Sequence, residues 1–169
     1  MNNIIILGDV FDRILTQVIV NTCEQCGGVR VFDGKRLYSS FDSPKYQVFC
    51  TDELRSIEQR NTVVVLGSSR SKPRFIKWMD DTVCILDSSD KLSLTSAEGC
   101  KNVIGCSMSE HDTLGICGYS DELSPMISLK RTIKLGDRLI EPCDFIVHTT
   151  KILPVFPVLA ASAILLVDK

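Results

Sequence analysis

Five short apolar runs, separated by polar stretches of helical length, constrain the fold of this chain more than any other feature. The runs are residues 3–7, 46–50, 62–66, 83–86 and 102–106. Continuous runs rich in Val and Ile are typical of strands that are buried on both faces of a parallel sheet. Strands that alternate with helices imply right-handed crossovers, so the first part of the chain is predicted to be a mostly parallel α/β sheet.

Helices and turns are predicted between these runs. Apolar residues at positions 11, 14, 15, 18 and 19 recur at helical spacing, and Gly27-Gly28 ends that helix. Asp33-Gly34 is the strongest short-range signal for a β-hairpin in the chain. Residues 52–59 and 75–79 are predicted to form two further short helices.

The pattern changes after residue 106. Residues 113–119, 126–133 and 139–148 read as three successive strands without helices between them, and residues 135–137 as a hairpin turn. They predict a small antiparallel sheet near the C-terminal half, within residues 107–150. Residues 1–169 are thus expected to form one three-layer α/β domain, with the parallel part in 1–106 and a closing helix in 151–169.

The last apolar run, residues 152–167, is the one membrane candidate in the sequence. It is shorter than the roughly 20 residues that a spanning helix needs, and Pro154 and Pro157 interrupt its first third. We therefore predict a buried core helix from about residue 155 to residue 167, and no membrane partner.

Charge and cysteine usage exclude several other classes. The net charge is -2, and Lys and Arg are scattered rather than clustered in a basic stripe, so nucleic acid is not a predicted partner. No secretory signal opens the chain. A cytoplasmic location and eight reduced cysteines are therefore expected. Cys50, Cys84, Cys106 and Cys117 lie in or beside apolar runs as small hydrophobes, and Cys23–Cys26 lacks a second pair at zinc-binding spacing, so no metal site is predicted.

Several short sequence words carry a family resemblance. They are IIILG at 4–8, VFDGKRLY at 31–38, VFCTDE at 48–53, VVVLGS at 63–68, VCILDSSD at 83–90, GCSMS at 105–109, DT at 112–113 and LAASA at 159–163. In this order and spacing they resemble the central ATP-binding domain of the Mur ligase family. The likeness is to its UDP-N-acetylmuramyl-tripeptide-synthetase and cyanophycin-synthetase-like branch. The resemblance implies a P-loop-like sheet and, in the family, ATP-dependent amide bond formation.

The phosphate loop of that family is degenerate here. Its word Gly-Thr-Asn-Gly-Lys-Thr is replaced by Gly8-Asp9-Val10-Phe11-Asp12-Arg13. Phe11 puts bulk where backbone N–H groups must close around a phosphate, and Asp12 puts a negative charge where the lysine belongs. Two like charges about 4 Å apart repel by about 4 kcal/mol at an effective dielectric near 20. An ordinary strand-to-helix turn capped by Asp9 is the favoured interpretation.

The other family positions that carry catalysis have changed as well. Cys50 stands where the resemblance puts a catalytic glutamate, with Asp52 and Glu53 following it, and Ser68 stands at the asparagine position. No Asp-His pair is recognisable near Arg70. The sequence therefore predicts no catalytic residue, which favours a non-enzymatic chain and leaves a ligase as the alternative.

A residual binding site is predicted at the carboxyl ends of two strands, where open α/β sheets bind ligands. Its members are Gly67, Ser68, Ser69, Arg70, Asp87 and Asp90, which offer hydroxyls, backbone donors and charges. The alternative is that both segments are ordinary polar loops.

Three functions remain open. The first is a non-catalytic Mur-ligase-like domain that binds an unknown protein partner, a second copy of itself or a ligand, with no cofactor. The second is an ATP-dependent amide-forming ligase or ligase subunit, which would need ATP and magnesium. The third is a sensor of nucleotides or cell-wall precursors.

Overall fold

The computed structural model describes residues 2–8, 13–67 and 73–168. Their elements in chain order are β1 (Asn2–Leu7), α1 (Arg13–Gln25), β2 (Val29–Phe32), β3 (Leu37–Ser39), β4 (Tyr46–Thr51), β5 (Thr62–Leu66), β6 (Val83–Asp87), α2 (Lys91–Ser96), β7 (Asn102–Cys106), β8 (Leu114–Asp121), β9 (Ser124–Leu129), β10 (Ile133–Leu135), β11 (Arg138–Ile140), β12 (Cys143–Ile146) and α3 (Val155–Asp168). Within these described ranges, ten strands form one sheet and β10 and β11 form a separate hairpin.

The large sheet is parallel through its centre. Its order is β12-β9-β8-β7-β6-β5-β1-β4-β2-β3, and every neighbouring pair from β8 to β2 runs parallel. The two edges are antiparallel, with β3 on one side and β9 followed by β12 on the other. The predicted fold class, a mostly parallel α/β sheet with a small antiparallel sheet, is confirmed.

The apolar runs form the centre because both of their faces are buried. All five residues of β5 are buried, and β6 is buried over its first four. Alternate residues point to opposite faces: Val63 and Val65 face a larger core, whereas Val64 and Leu66 face a smaller one. Helices α1 and α3 cover the larger core. The predicted closing helix is thus confirmed as α3, which is buried nearly all round.

Two predicted helices are wrong. Residues 52–59 and 75–79 are extended, and they meet in a parallel bridge between Ser56 and Lys77. Lys77 donates its backbone N–H to the carbonyl of Arg55 at 2.9 Å, and Ile57 donates to the carbonyl of Lys77 at 3.1 Å. Ile57 is buried in the smaller core, against which Ile76 also packs. The apolar burial that these segments gain by covering the sheet outweighs the weak helix propensity of either one.

The antiparallel region differs in detail from its prediction. The strands expected at 126–133 and 139–148 are each divided, because β9 and β12 extend the large sheet while β10 and β11 leave it as a hairpin. The predicted turns at Asp33-Gly34 and at residues 135–137 are confirmed, and Gly34 has a φ of 88° that favours glycine.

Cysteine burial follows the prediction at three positions and departs from it at one. Cys50, Cys84 and Cys106 are buried, whereas Cys117 is exposed. Cys117 lies where the register of β8 against β9 shifts, between Ile116 and Gly118, and its neighbour Ile116 is the residue that packs against the larger core.

None of the helices in the described ranges has the length and apolar character that crossing a membrane requires.

Candidate functional site

The carboxyl ends of the parallel strands meet along one edge of the sheet, which we call the carboxyl edge. Gly8 follows β1 and Gly67 follows β5 at neighbouring positions, and Gly67 donates its N–H to the carbonyl of Leu7 at 2.9 Å. A Cβ on Gly8 would lie 3.2 Å from the Cα of Gly67, and a Cβ on Gly67 would lie 3.2 Å from Leu15 Cδ2. The two loops predicted to bind ligand therefore start side by side, in tight contact at both glycines.

Much of both loops lies beyond the described ranges. The predicted residues Asp9, Phe11 and Asp12 of the phosphate loop fall there, as do Ser68, Ser69 and Arg70. Arg13 is the first residue of α1 and is exposed.

Asp87 and Asp90, the predicted acidic contacts, lie at the end of β6. Asp90 is the N-cap of α2, because its carboxylate accepts the N–H of Leu92 at 3.1 Å and the hydroxyl of Ser93 at 2.6 Å. The carboxylate of Asp87 accepts the N–H and the hydroxyl of Ser89 at 2.9 and 2.6 Å. Both side chains therefore hold the local backbone. Helix α2 itself was not predicted from the sequence.

Asp112 clamps two of the edge loops together. It is 7% exposed, and its carboxylate accepts hydrogen bonds from the hydroxyls of Ser88, after β6, and Ser107, after β7. Gly105 passes close by, since a Cβ there would lie 3.5 Å from Asp112 Oδ1. Beside this clamp, Asp87, Ser107 and Phe156 help to line a cleft of about 230 Å³. In the sequence, Asp112 was part of a family word and carried no predicted role.

Arg74 is a member of the edge that the sequence analysis missed. Its Nη1 donates to the carbonyl of Leu7 at 3.2 Å, and its backbone N–H donates to Ser96 Oγ at 2.8 Å. Burial lowers the pKa of the guanidinium, and the nearby charges of Asp52 and Asp90 act in the opposite direction. A cation therefore lies at the end of β1. No sequence signal separates Arg74 from the other basic residues near it, because its partner Leu7 is distant in the chain.

Cys50 occupies the position that the resemblance assigns to a glutamate. It is 6% exposed, lies in β4 next to Ile6 of β1, and belongs to the larger core. Burial raises the pKa of its thiol, while a hydrogen bond with Thr16 acts in the opposite direction. The thiol is consequently neutral near pH 7 and lies beneath α1, one residue before the end of β4.

The acids that follow Cys50 are on the surface. Asp52 and Glu53 are exposed, and Glu53 accepts from Nη2 of Arg55 at 2.8 Å. Across residues 2–8, 13–67 and 73–168, no group of three His, Cys, Asp or Glu side chains is arranged to hold a metal ion.

Comparison with solved structures identifies the fold. The sequence matches no protein-family model and no curated protein. A murein peptide ligase, Mpl, from Psychrobacter arcticus superposes with a TM-score of 0.59 and 14% identity, over 96% of this chain and 43% of that one. A UDP-N-acetylmuramoyl-L-alanyl-D-glutamate–2,6-diaminopimelate ligase superposes with a TM-score of 0.57 and 10% identity, over 99% of this chain and 43% of that one. The chain thus has a Mur-ligase-like fold and spans less than half the length of either ligase.

Proposed function

We propose that this chain is a non-catalytic Mur-ligase-like domain that acts by binding, at the carboxyl edge, a ligand or a protein partner. The observation that carries the proposal is the engagement of the edge carboxylates. Asp87, Asp90 and Asp112 each accept hydrogen bonds from the chain's own hydroxyls or N–H groups. Asp87 holds a turn, Asp90 caps α2, and Asp112 joins the loops after β6 and β7.

These hydrogen bonds limit how the edge could bind magnesium. Mg²⁺ takes oxygen ligands in near-octahedral geometry. The bonds that Asp87, Asp90 and Asp112 accept fix the orientation of their carboxylates, so a metal ion could use only the lone pairs that these bonds leave. The thiol of Cys50 is no substitute, because hard cations prefer oxygen and because burial raises its pKa. The sequence of the phosphate loop is equally unfavourable for ATP binding, since Phe11 and Asp12 replace the small residue and the lysine that a triphosphate requires.

The direct test is turnover. Purified chain incubated with Mg-ATP and a UDP-N-acetylmuramyl peptide is expected to release no phosphate above a buffer control. Release that disappears in the Asp52→Asn or Glu53→Gln variant would contradict the proposal, because these are the two acids adjacent to the glutamate position. Both are exposed, so the substitutions leave the core intact.

The second candidate is a subunit or portion of an ATP-dependent amide-forming ligase. The extent of the fold match favours it, because this chain covers 43% of each ligase to which it is similar. On this alternative, phosphate release from Mg-ATP appears only when the chain is joined by the remaining parts of such a ligase. Co-purification from the native organism, followed by the turnover assay on the complex, separates the two.

The kind of binding can also be resolved. A sensor of nucleotides or cell-wall precursors predicts a rise in melting temperature with one member of a ligand panel. A flat response across the panel, together with a dimer or a co-purifying chain on size-exclusion chromatography, supports a protein partner or a second copy instead.

A further inference from the structure

A cationic pocket adjoins the carboxyl edge on the side of the smaller core. It has a volume of about 330 Å³, and its lining includes Arg55, Arg74, Phe75, Lys77 and Glu98. Three of these side chains are positive and one is negative. Such a concentration of positive charge attracts anions, because a pocket focuses the field of the charges that line it.

The backbone holds the cations in place. The 2.9 Å hydrogen bond from the Lys77 N–H to the Arg55 carbonyl joins the two extended segments, so both residues lie on one paired scaffold. Arg74 is fixed separately, by its N–H on Ser96 and its guanidinium on the carbonyl of Leu7. The Arg74 guanidinium is thus held in place, whereas Arg55 and Lys77 are joined through their backbone and carry exposed side chains that can turn toward an anion.

The charges of this pocket are partly balanced. Among the residues that the structure describes, Arg55 pairs with Glu53 at 2.8 Å, and the charges of Asp52 and Asp90 act on Arg74 without an ion pair within 4.0 Å. Lys77 has no carboxylate within 4.0 Å among these residues. Arg74 is half-buried, and burial lowers its pKa because the charged form has lost part of its hydration. A bound anion would restore that lost solvation.

Phe75 adds an exposed aromatic surface to the pocket. Its side chain is 87% exposed, the largest exposed fraction among the large hydrophobic residues described. A phenyl ring open to water beside cations is a surface on which a planar ring can stack, while the cations hold a charged group attached to it.

We propose that Arg55, Arg74 and Lys77 bind the phosphate of an organic phosphate whose planar ring stacks on Phe75. The inference rests on the proposed function, since it names the class of ligand for a binding domain. It requires neither magnesium nor the degenerate phosphate loop.

The test is a calorimetric titration of the full chain, without magnesium, with adenosine monophosphate, ribose 5-phosphate and inorganic pyrophosphate. Arg74→Gln and Lys77→Gln are each expected to weaken the binding of adenosine monophosphate and of pyrophosphate by about tenfold or more, since each removes a charged hydrogen-bond donor. Phe75→Ala is expected to weaken the binding of adenosine monophosphate alone. The matched control is Lys134→Gln, an exposed cation on β10 outside the pocket, and it should bind like the wild type.

Absence of saturable binding of adenosine monophosphate to the wild type at millimolar concentration overturns the inference. The inference is also overturned if the affinities of Arg74→Gln and Lys77→Gln for adenosine monophosphate lie within about twofold of that of the Lys134→Gln control. If Arg74→Gln fails to fold, as judged by circular dichroism, Lys77→Gln and Arg55→Gln decide the question, because both side chains are exposed. Adenosine monophosphate binding that is unchanged by substitution of the three cations would contradict this inference alone. ATP turnover, found together with adenosine monophosphate binding that does depend on the three cations, would contradict only the non-catalytic role.

Discussion

The carboxylate of Asp168, at the end of α3, accepts a hydrogen bond from the hydroxyl of Tyr46, at the start of β4. The same carboxylate accepts from Nδ2 of Asn2 and, at 2.5 Å, from Nζ of Lys45. Tyr46 is fully buried, and it is among the largest side chains in the core. This cluster fastens the closing helix to the starts of two central strands.

The Tyr46 hydroxyl predicts a pH dependence of stability. Its pKa is raised above its ordinary value of 10.0, first by burial and then by the hydrogen bond to Asp168. Because the unfolded chain ionises first, this stabilisation is complete below about pH 10 and is lost as the pH rises toward the folded-state pKa. The free energy of unfolding should therefore fall more steeply above pH 10 in the wild type than in Tyr46→Phe, as measured by urea denaturation.

At pH 7 the same Tyr46→Phe substitution should cost about 1.5–3 kcal/mol, since it removes a hydrogen bond to a charged group. Tyr119→Phe on β8 is the control, because Tyr119 is 58% exposed. Parallel pH profiles for wild type and Tyr46→Phe would contradict the assignment.

Contact between Gly8 and Gly67 predicts a steric limit at the carboxyl edge. Gly8→Ala would bring a Cβ to 3.2 Å from backbone that is itself hydrogen-bonded to β1, so relief requires the strands to move. We expect a loss of about 1–3 kcal/mol in thermal denaturation. Gly118→Ala on β8 is the control, because its Cβ would meet only the flexible end of Met126 at 3.4 Å. Equal effects of the two substitutions would show that the close approach is unimportant.

The Asp112 clamp predicts coupling between residues on different loops. Asp112→Ala leaves the hydroxyls of Ser88 and Ser107 without their shared acceptor and should destabilise the fold by about 2 kcal/mol. In a double-mutant cycle, Ser107→Ala should cost much less once Asp112 is already alanine. Strictly additive costs would rule the clamp out. Hydrogen exchange at Thr113, whose N–H donates to Gly105, reports whether the loops loosen.

Cys100 is predicted to be the reactive thiol of the smaller core. A hydrogen bond from the buried Cys84 thiol lowers the pKa of Cys100 below its ordinary value of 9.0. Its alkylation by iodoacetamide, followed by mass spectrometry against pH, should show a midpoint that moves upward in Cys84→Ala. Cys84→Ser retains a donor at this position and should keep the midpoint close to that of the wild type. An unchanged midpoint in Cys84→Ala would contradict the pairing.

The central strands were predictable because their burial is encoded locally. A run such as residues 62–66 has no polar side that could face water, whatever surrounds it. The turn at Asp33-Gly34 was predictable for the same reason, since glycine adopts the positive φ of this turn without steric cost. The extended segments around Ser56 and Lys77 were not, because their pairing depends on a sheet face that only the folded chain provides.

The site was less accessible from sequence than the fold. Asp90 was chosen as a ligand contact because it follows a strand, and a six-residue helix that needs it as a cap leaves little periodicity to detect. Arg74 was overlooked because its position is defined by the carbonyl of Leu7, on another strand. Such residues become visible only when the ends of several strands are seen together.

The bond between Asn2 and Asp168 joins groups that are 166 positions apart and lies at the starts of β1 and β4, opposite the carboxyl edge. Asn2 and Asp168 therefore lie on the side of the sheet away from Gly8, Gly67 and Arg74. A fluorescent reporter or a surface-coupling handle attached beside either residue should leave the ligand-facing side open to titration.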